Sequence, residues 1–496
     1  MNQIIIDCGL NQDRAAILEN NDLVELYIEE DKNKRILGNI YKGRVVNVLQ
    51  GMQAAFVDIG LEKNAFLYVK DAIPKDMLLN KDVDLKDISI RDVVKSGQEL
   101  VVQVIKEPIG TKGARITTHI TLPGRYLVLM PYTDYIGISR RIEDKEERDR
   151  LKKLADEIKP DDMGIILRTA ANGVELNDLK EDLKFLVKIF TKIDRDKNLG
   201  FAPRVIYKDM DLVHRTVRDL FTDGIHKLII NDKEKYDSIV DLVELISPHL
   251  KSRVEYFDSS YDVFSYFGID SMIKKALERK VWLKSGGYIV IDNTEALTSI
   301  DVNTGKYVGS IDLEDTVFKT NIEAAKEIAK QLRLRNIGGI IIIDFIDMNE
   351  EEDVKAVLEC LEKELKKDRT KTTVLGITKL GLVEMTRKKA RSRLSSKIQA
   401  KCPHCDGTGK VYSEHYIIKS IEKEVKRIKV HTNAEAVIFE INKFHYDKIV
   451  NNNKSYIDQL EEKYGIKVFL TSSIDIDIND LKVKSMGKLE YIKNIL

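Results

Sequence analysis

Asp301 and Asn303 stand two residues apart in SIDVNTG, and Asp344 closes the apolar run of GGIIIIDFID. Two carboxylates and a carboxamide are hard oxygen donors, the set that magnesium prefers over zinc or copper. Side chains alternate along an extended segment, so Asp301 and Asn303 would share a face. Ile340–Ile343 reads as a fully buried strand that ends in the charge of Asp344. Carboxylates at strand ends beside a cleft are one way to position a metal for phosphoryl chemistry. Taken singly, an Asp at a strand end is usually a turn or cap residue. Asp347 and Glu350–Asp353 read as the cap and solvated start of a following helix.

A second constellation is CPHCDGTGK, where Cys402 and Cys405 are spaced as in a zinc knuckle. A structural zinc takes four ligands, and there is no second CxxC; adding His404 would strain so short a loop. The site is completed by a distant His, or by Cys402 and Cys405 of a second copy across a two-fold axis. A redox CxxC is the alternative. Cys8 and Cys360 read as plain core residues, and four cysteines make no disulfide framework here. Upstream, Arg387, Lys388, Lys389, Arg391, Arg393, Lys397 and Lys401 crowd together with no acid among them. Lys+Arg and Asp+Glu both number 81, so only such local clustering can speak for a polyanionic partner. Beside a metal site, the run is expected to grip a phosphate backbone.

The elements that must hold these residues follow from pattern. At 496 residues the chain needs several cores. Strands are expected at Gln3–Cys8, Arg14–Leu18 and Leu23–Glu29. From Gly38, five strand-like runs punctuated at Gly43, Gly51, Gly60, Gly97 and Gly110 suggest a small closed barrel, interrupted by a charged insertion at Asp71–Arg91. Phe56 and Phe66, with Tyr41, Tyr68, Lys42, Arg44, Lys106 and Lys112 nearby, suit a barrel that stacks bases while a positive groove follows the backbone. A lone aromatic in a strand more often merely fills the barrel, and Phe56 and Phe66 taken singly are open to that reading. Residues 120–211 mix strands with a helix near Glu175–Asp194, and 212–280 alternate helix and strand. An amphipathic helix, Asp315–Leu334, separates the two acid-bearing strands, and 413–496 reads as a smaller α/β unit with a basic helix at Lys419–Lys429. No run of eighteen apolar residues and no charged-then-apolar start occur, so a cytoplasmic protein without membrane contact is expected.

Long motifs carry a resemblance: GNIYKGRV, AAFVDIG, GRYLVLMP, GISRRI, DMGIILRTA, SGGYIVIDNTEALTSIDVNTG, NIEAAKEIAKQLRLRNIGGIIIIDFIDM, GLVEMTRKK and CPHCDGTG. In this order they resemble the ribonuclease E/G endoribonucleases over residues 1 to about 412. The resemblance implies a multi-domain α/β chain. An RNase H-like domain (1–36 and 212–280) would be split by an OB-fold barrel (37–119) and a 5′-monophosphate sensor (120–211). A DNase I-like catalytic domain (281–400), a zinc link (401–412) and a small C-terminal domain (413–496) would follow. It implies that Asp301 and Asp344 bind catalytic Mg²⁺ with Asn303 in support, and that Gly124, Val128, Arg168 and Thr169 grip a 5′-monophosphate. Phe56, Phe66 and Lys112 would clamp RNA, with Lys106, Arg140, Arg141, Lys371, Arg387 and Lys388 as further RNA contacts. Lys371 departs from the Arg frequent there, which weakens a bidentate contact. Cys402 and Cys405 would be half of a Zn²⁺ site shared in a homodimer, with pairing of dimers left open. The chain would be the family's shorter type, without a disordered scaffold tail for degradosome partners. The implied activity is Mg²⁺-dependent cutting of single-stranded, A/U-rich RNA in rRNA processing and mRNA decay. It would be stimulated by a 5′-monophosphate and leave 5′-phosphate and 3′-hydroxyl ends. A non-catalytic RNA-binding protein, or a zinc-linked scaffold with a decayed site, are the rival readings.

Overall fold

The computed structural model describes residues 1–30, 35–73, 88–108, 112–305, 313–405, 407–452 and 454–495. They form two compact units, Met1–Lys397 and Ile398–Leu496. Most of the charged insertion at Asp71–Arg91 and the turn at Gly110 lie outside the described residues.

The chain starts as an antiparallel meander of Asn2–Cys8, Gln12–Glu19 and Asp22–Glu30. Asn20 and Asn21 make the two-residue turn between the last two, with φ of 51° and 67°. Asn tolerates that left-handed geometry, and such a turn matches the strand twist. The chain then leaves this sheet and returns much later. Lys227–Ile230 joins the first strand in parallel and Val254–Tyr256 lies beyond it. Parallel neighbours need a crossover, and helix Lys233–Ile246 supplies it.

The excursion contains the expected closed barrel. Ile40–Leu49, Ala54–Asp58, Ala65–Tyr68, Arg115–Thr117 and Glu99–Lys106 pair in that order, and Glu99–Lys106 closes back on Ile40–Leu49. Closure removes the unpaired edges that invite aggregation. Val45, Val57, Leu67, Val102, Val104 and Ile116 fill the interior. A four-stranded sheet follows, Ile136–Ile138, Met163–Leu167, Leu127–Pro131 and Leu122–Pro123. Its core is shared with helices Lys145–Ile158 and Leu176–Asp196.

The third large sheet has six strands, in the order Lys280–Trp282, Tyr288–Asn293, Leu297–Asn303, Gly339–Asp344, Val383–Arg387, Thr372–Ile377. One face is the apolar half of each alternation. Ile289, Ile291, Ile300, Val302, Ile341 and Ile343 pack on helices Leu313–Leu334 and Glu351–Leu365. Each such buried side chain stabilises by about 1.5–3 kcal/mol. The other face carries the remaining residues of each strand and is largely open to solvent. In the second unit, helix Glu414–His431 shares a core with a three-stranded sheet centred on Ala436–Asn442.

Candidate active site and RNA-binding surface

Leu297–Asn303 and Gly339–Asp344 run parallel with Asp301 directly opposite Asp344. Both acids are exposed, while Ile300, Val302 and Ile343 between them are buried. Register therefore sets two carboxylates side by side on the open face, on strands about 4.8 Å apart. Asn303, two residues on, projects from the same face, and its Nδ2 donates to Asp301 Oδ2 at 2.7 Å. The tether engages one oxygen, and among the described residues no hydrogen bond takes the other. Gly287 keeps this corner tight, because a Cβ there would fall 2.9 Å from the Asn303 carbonyl oxygen. Behind the sheet, the fully buried Asn321 of helix Leu313–Leu334 donates to Ile346 O (2.8 Å) and accepts from Ile346 N (3.1 Å). That clamp fixes the chain just beyond Asp344. Asp347 is exposed and Glu350 precedes the helix without a side-chain cap bond.

Among the described residues no cluster of three or more His, Cys, Asp or Glu surrounds this pair. Two carboxylates on an open face suit a hard cation that keeps much of its water and takes further oxygens from a phosphate. The donor set fits magnesium.

The residues expected at a 5′-end pocket are brought together, with partners that sequence alone did not reveal. The Arg168 guanidinium donates to the Gly124 carbonyl and, at 2.8 Å, to Asp219 Oδ1. Asp219 also receives Arg218 Nε (3.2 Å) and Nη2 (3.0 Å). Burial pushes Asp219 up, but the Arg218 and Arg168 charges outweigh it and hold the carboxyl below its ordinary value. Beneath the turn, buried Asp182 accepts the N–H groups of Arg125, Tyr126 and Leu127 at 2.8–3.1 Å. A Cβ on Gly124 would lie 2.5 Å from Asp182 Oδ2, so only glycine fits. Thr169 Oγ1 and Ser139 Oγ are 2.9 Å apart, which sets exposed Arg140 and Arg141 beside the pocket. Val128 is half-buried, opposite Ile166 and Pro123. Arg369 donates to the Asp219 carbonyl at 2.9 Å, tying the segment that carries exposed Lys371 to the same place.

On the barrel, register aligns Phe56, Phe66, Arg115 and Lys106 in one row across four strands. The two phenyl rings meet edge to face at 6.0 Å and both are half-buried rather than sunk in the core. Lys106 and Lys112 are exposed. Arg115 is committed to Asp71 at 2.7 Å.

The basic run needs a correction. Arg387 is not an RNA contact: it lies inward on Val383–Arg387 with Val383 and Met385, and is 3% exposed. Its Nε donates to Asp368 Oδ2 at 2.6 Å, and its other nitrogens reach Asn336 Oδ1, Ile337 O and Thr370 Oγ1. Period-two alternation turns it away from solvent. Arg391 stacks on Tyr27 (3.9 Å), Arg393 donates to Thr298 Oγ1, and Lys397 lies 3.8 Å from Glu30. Much of the run is thus structural. Lys388 is exposed and stays available.

In the second unit, Cys402 is exposed and Cys405 half-exposed. Gly409 N–H donates to Cys405 Sγ at 3.3 Å, and this donation is the chief cause holding the thiol below its ordinary value. A readily formed thiolate suits a metal ligand. Two sulfurs supply half of a tetrahedral zinc set.

Residues 121–390 match the Ribonuclease E/G family, and residues 401–486 match the RNase E/G thioredoxin-like domain. The chain is similar to ribonuclease G of Escherichia coli (strain K12), 44% identical over 86% of this chain and 88% of that protein. Ribonuclease G of Haemophilus influenzae is 43% identical over 86% of this chain and 87% of its own length. Ribonuclease E of Buchnera aphidicola is 34% identical over 100% of this chain but 51% of its own length. With over half its length matched by the family and close relatives spanned almost end to end, this chain belongs to the ribonuclease E/G family of endoribonucleases.

Proposed function

We propose that this protein is a magnesium-dependent endoribonuclease that cuts single-stranded, A/U-rich RNA of ribosomal precursors and messages. The cut leaves 5′-phosphate and 3′-hydroxyl ends and is stimulated by a 5′-monophosphate. The observation that carries the reading is the registered pair Asp301–Asp344 on an open sheet face, with Asn303 tethering one carboxylate. Asp301 and Asp344 would hold Mg²⁺, which when bound acidifies water and neutralises phosphate charge. Asn303 orients the Asp301 carboxylate, and the Asn321 clamp keeps Asp344 from drifting. The Phe56–Phe66 row with Lys106 and Lys112 holds unpaired bases and backbone. The catalytic sheet corresponds in this reading to a DNase I-like domain, and the five-stranded sheet to an RNase H-like one.

A 5′-monophosphate is a dianion near neutral pH and competes with Asp219 for the Arg168 guanidinium. The Asp219 carboxylate is thus an internal stand-in for the ligand. Arg168→Ala is expected to slow cleavage of 5′-monophosphorylated RNA by about 10- to 100-fold, the worth of a charged hydrogen bond. Cleavage of 5′-hydroxyl RNA should hardly change. Equal losses on both substrates would make Arg168 a structural residue.

Cys402 and Cys405 would complete a zinc site with the same pair from a second copy. Chelating zinc, or Cys402→Ser, is expected to halve the particle mass in light scattering. An unchanged mass would remove the shared site without touching the nuclease assignment.

A further inference from the structure

The edge of the catalytic sheet carries an arrangement that the cutting reaction leaves unexplained. Trp282, the chain's single tryptophan, is 60% exposed on the edge strand Lys280–Trp282. Register lines up Trp282, Tyr288 and Asn303 in one row, and Lys280, Val290, Asp301 and Asp344 in the next. Directly opposed residues share a face, so the aromatic pair and the acids look out from the same open surface. Trp282 and Tyr288 meet edge to face, centroids 5.4 Å apart. Lys280 Nζ sits 3.9 Å from the indole centroid and 3.5 Å from the phenol centroid.

We propose that Trp282 and Tyr288, with Lys280 between them, form a stacking platform for one RNA base beside the phosphate bound at Asp301 and Asp344. The proposal rests on the ribonuclease reading of that site. Distance favours it: Trp282 lies two strands from Asn303, about 10 Å, a span that a neighbouring nucleotide covers. Charge favours it too. A phosphate strand crossing two carboxylates is repelled, and Lys280, in their own row, supplies a compensating cation. An exposed indole offers a π-face to any base, which gives affinity without strict sequence reading. The platform is also braced before RNA arrives. Glu323 accepts the N–H groups of Lys284 (2.6 Å) and Ser285 (3.1 Å) at the hairpin turn, and Arg279 grips Asp292 with two bonds at the strand's other end. A rigid platform loses little entropy on binding.

A single tryptophan makes the test direct, because indole fluorescence then reports on this surface alone. The 496-residue chain carrying Asp301→Asn, to prevent cutting, is titrated with a 5′-monophosphorylated A/U-rich oligoribonucleotide and with an abasic strand of equal length. A saturable quench is expected with the first and little change with the second. In the otherwise unsubstituted enzyme, Trp282→Ala should raise KM by about 5- to 100-fold with kcat nearly kept, and Trp282→Phe should restore most of it. Equal quenching by both strands, or an unchanged KM in Trp282→Ala, would overturn the platform. Fluorescence that varies with protein concentration in the absence of RNA would do so too, by showing that another copy covers the indole. If the unsubstituted protein cuts no RNA, the ribonuclease reading fails instead, and base-dependent quenching still decides the platform.

Discussion

Asp301→Asn and Asp344→Asn are each expected to slow RNA cleavage by about a thousandfold or more, equal to about 4 kcal/mol of barrier. RNA affinity should stay within a few-fold and the unfolding transition should barely move. The split follows from where the acids stand. Both lie on the open face, and among the described residues the one side-chain hydrogen bond to either is the Asn303 tether on Asp301. The sheet is stabilised from its other side, by the isoleucines and valines under the two helices. Surface substitutions away from packing change stability by no more than about 0.5 kcal/mol. In the proposed reading, removing either carboxylate takes away charge that the bound cation would require, and the fold is expected to be left alone. Parallel losses of activity and melting temperature would show that the pair is structural.

Arg387→Ala should produce the opposite pattern. Arg387 and Asp368 are both buried, 3% and 6% exposed, and bonded at 2.6 Å. Deleting the guanidinium strands a buried carboxylate and unpairs the acceptors at Asn336 and Ile337. Breaking such a pair costs about 3–5 kcal/mol. The urea midpoint of the catalytic unit should fall markedly in Arg387→Ala and stay unchanged in the neighbouring Lys388→Ala. Lys388→Ala should instead weaken RNA binding and reduce its salt dependence. An Arg387→Ala protein that melts like the parent but loses RNA affinity would reverse this assignment.

The two neighbours show what a sequence can and cannot disclose. Charge density alone made Arg387 and Lys388 equivalent, and only the alternation of Val383–Arg387 separates them. That signal was readable, since Val383 and Met385 share the parity of Arg387. The barrel and the helices near Glu175–Asp194 and Asp315–Leu334 were legible because their apolar periodicity is strong. Helix Lys145–Ile158 was not, because Leu151, Ala155 and Ile158 are its few buried positions within a dense run of charge. Asp219 and Asp182 were also hidden. Asp219 meets Arg168, and Asp182 meets the Gly124 turn, only through tertiary contact, and no local spacing announces either pairing. Trp282 drew no reading from the sequence, because its row beside Asn303 emerges only from strand register.

The most direct trial of the central claim is an incubation of purified protein with a 5′-monophosphorylated, A/U-rich oligoribonucleotide, with Mg²⁺ and with excess chelator. The parent protein and the Asp301→Asn/Asp344→Asn double variant are run side by side. Internal cuts bearing 5′-phosphate and 3′-hydroxyl ends are expected from the parent with Mg²⁺ alone, and none from the double variant. Cuts at the same positions by the double variant, or by the parent in chelator, would contradict a metal-holding carboxylate pair on the open sheet face.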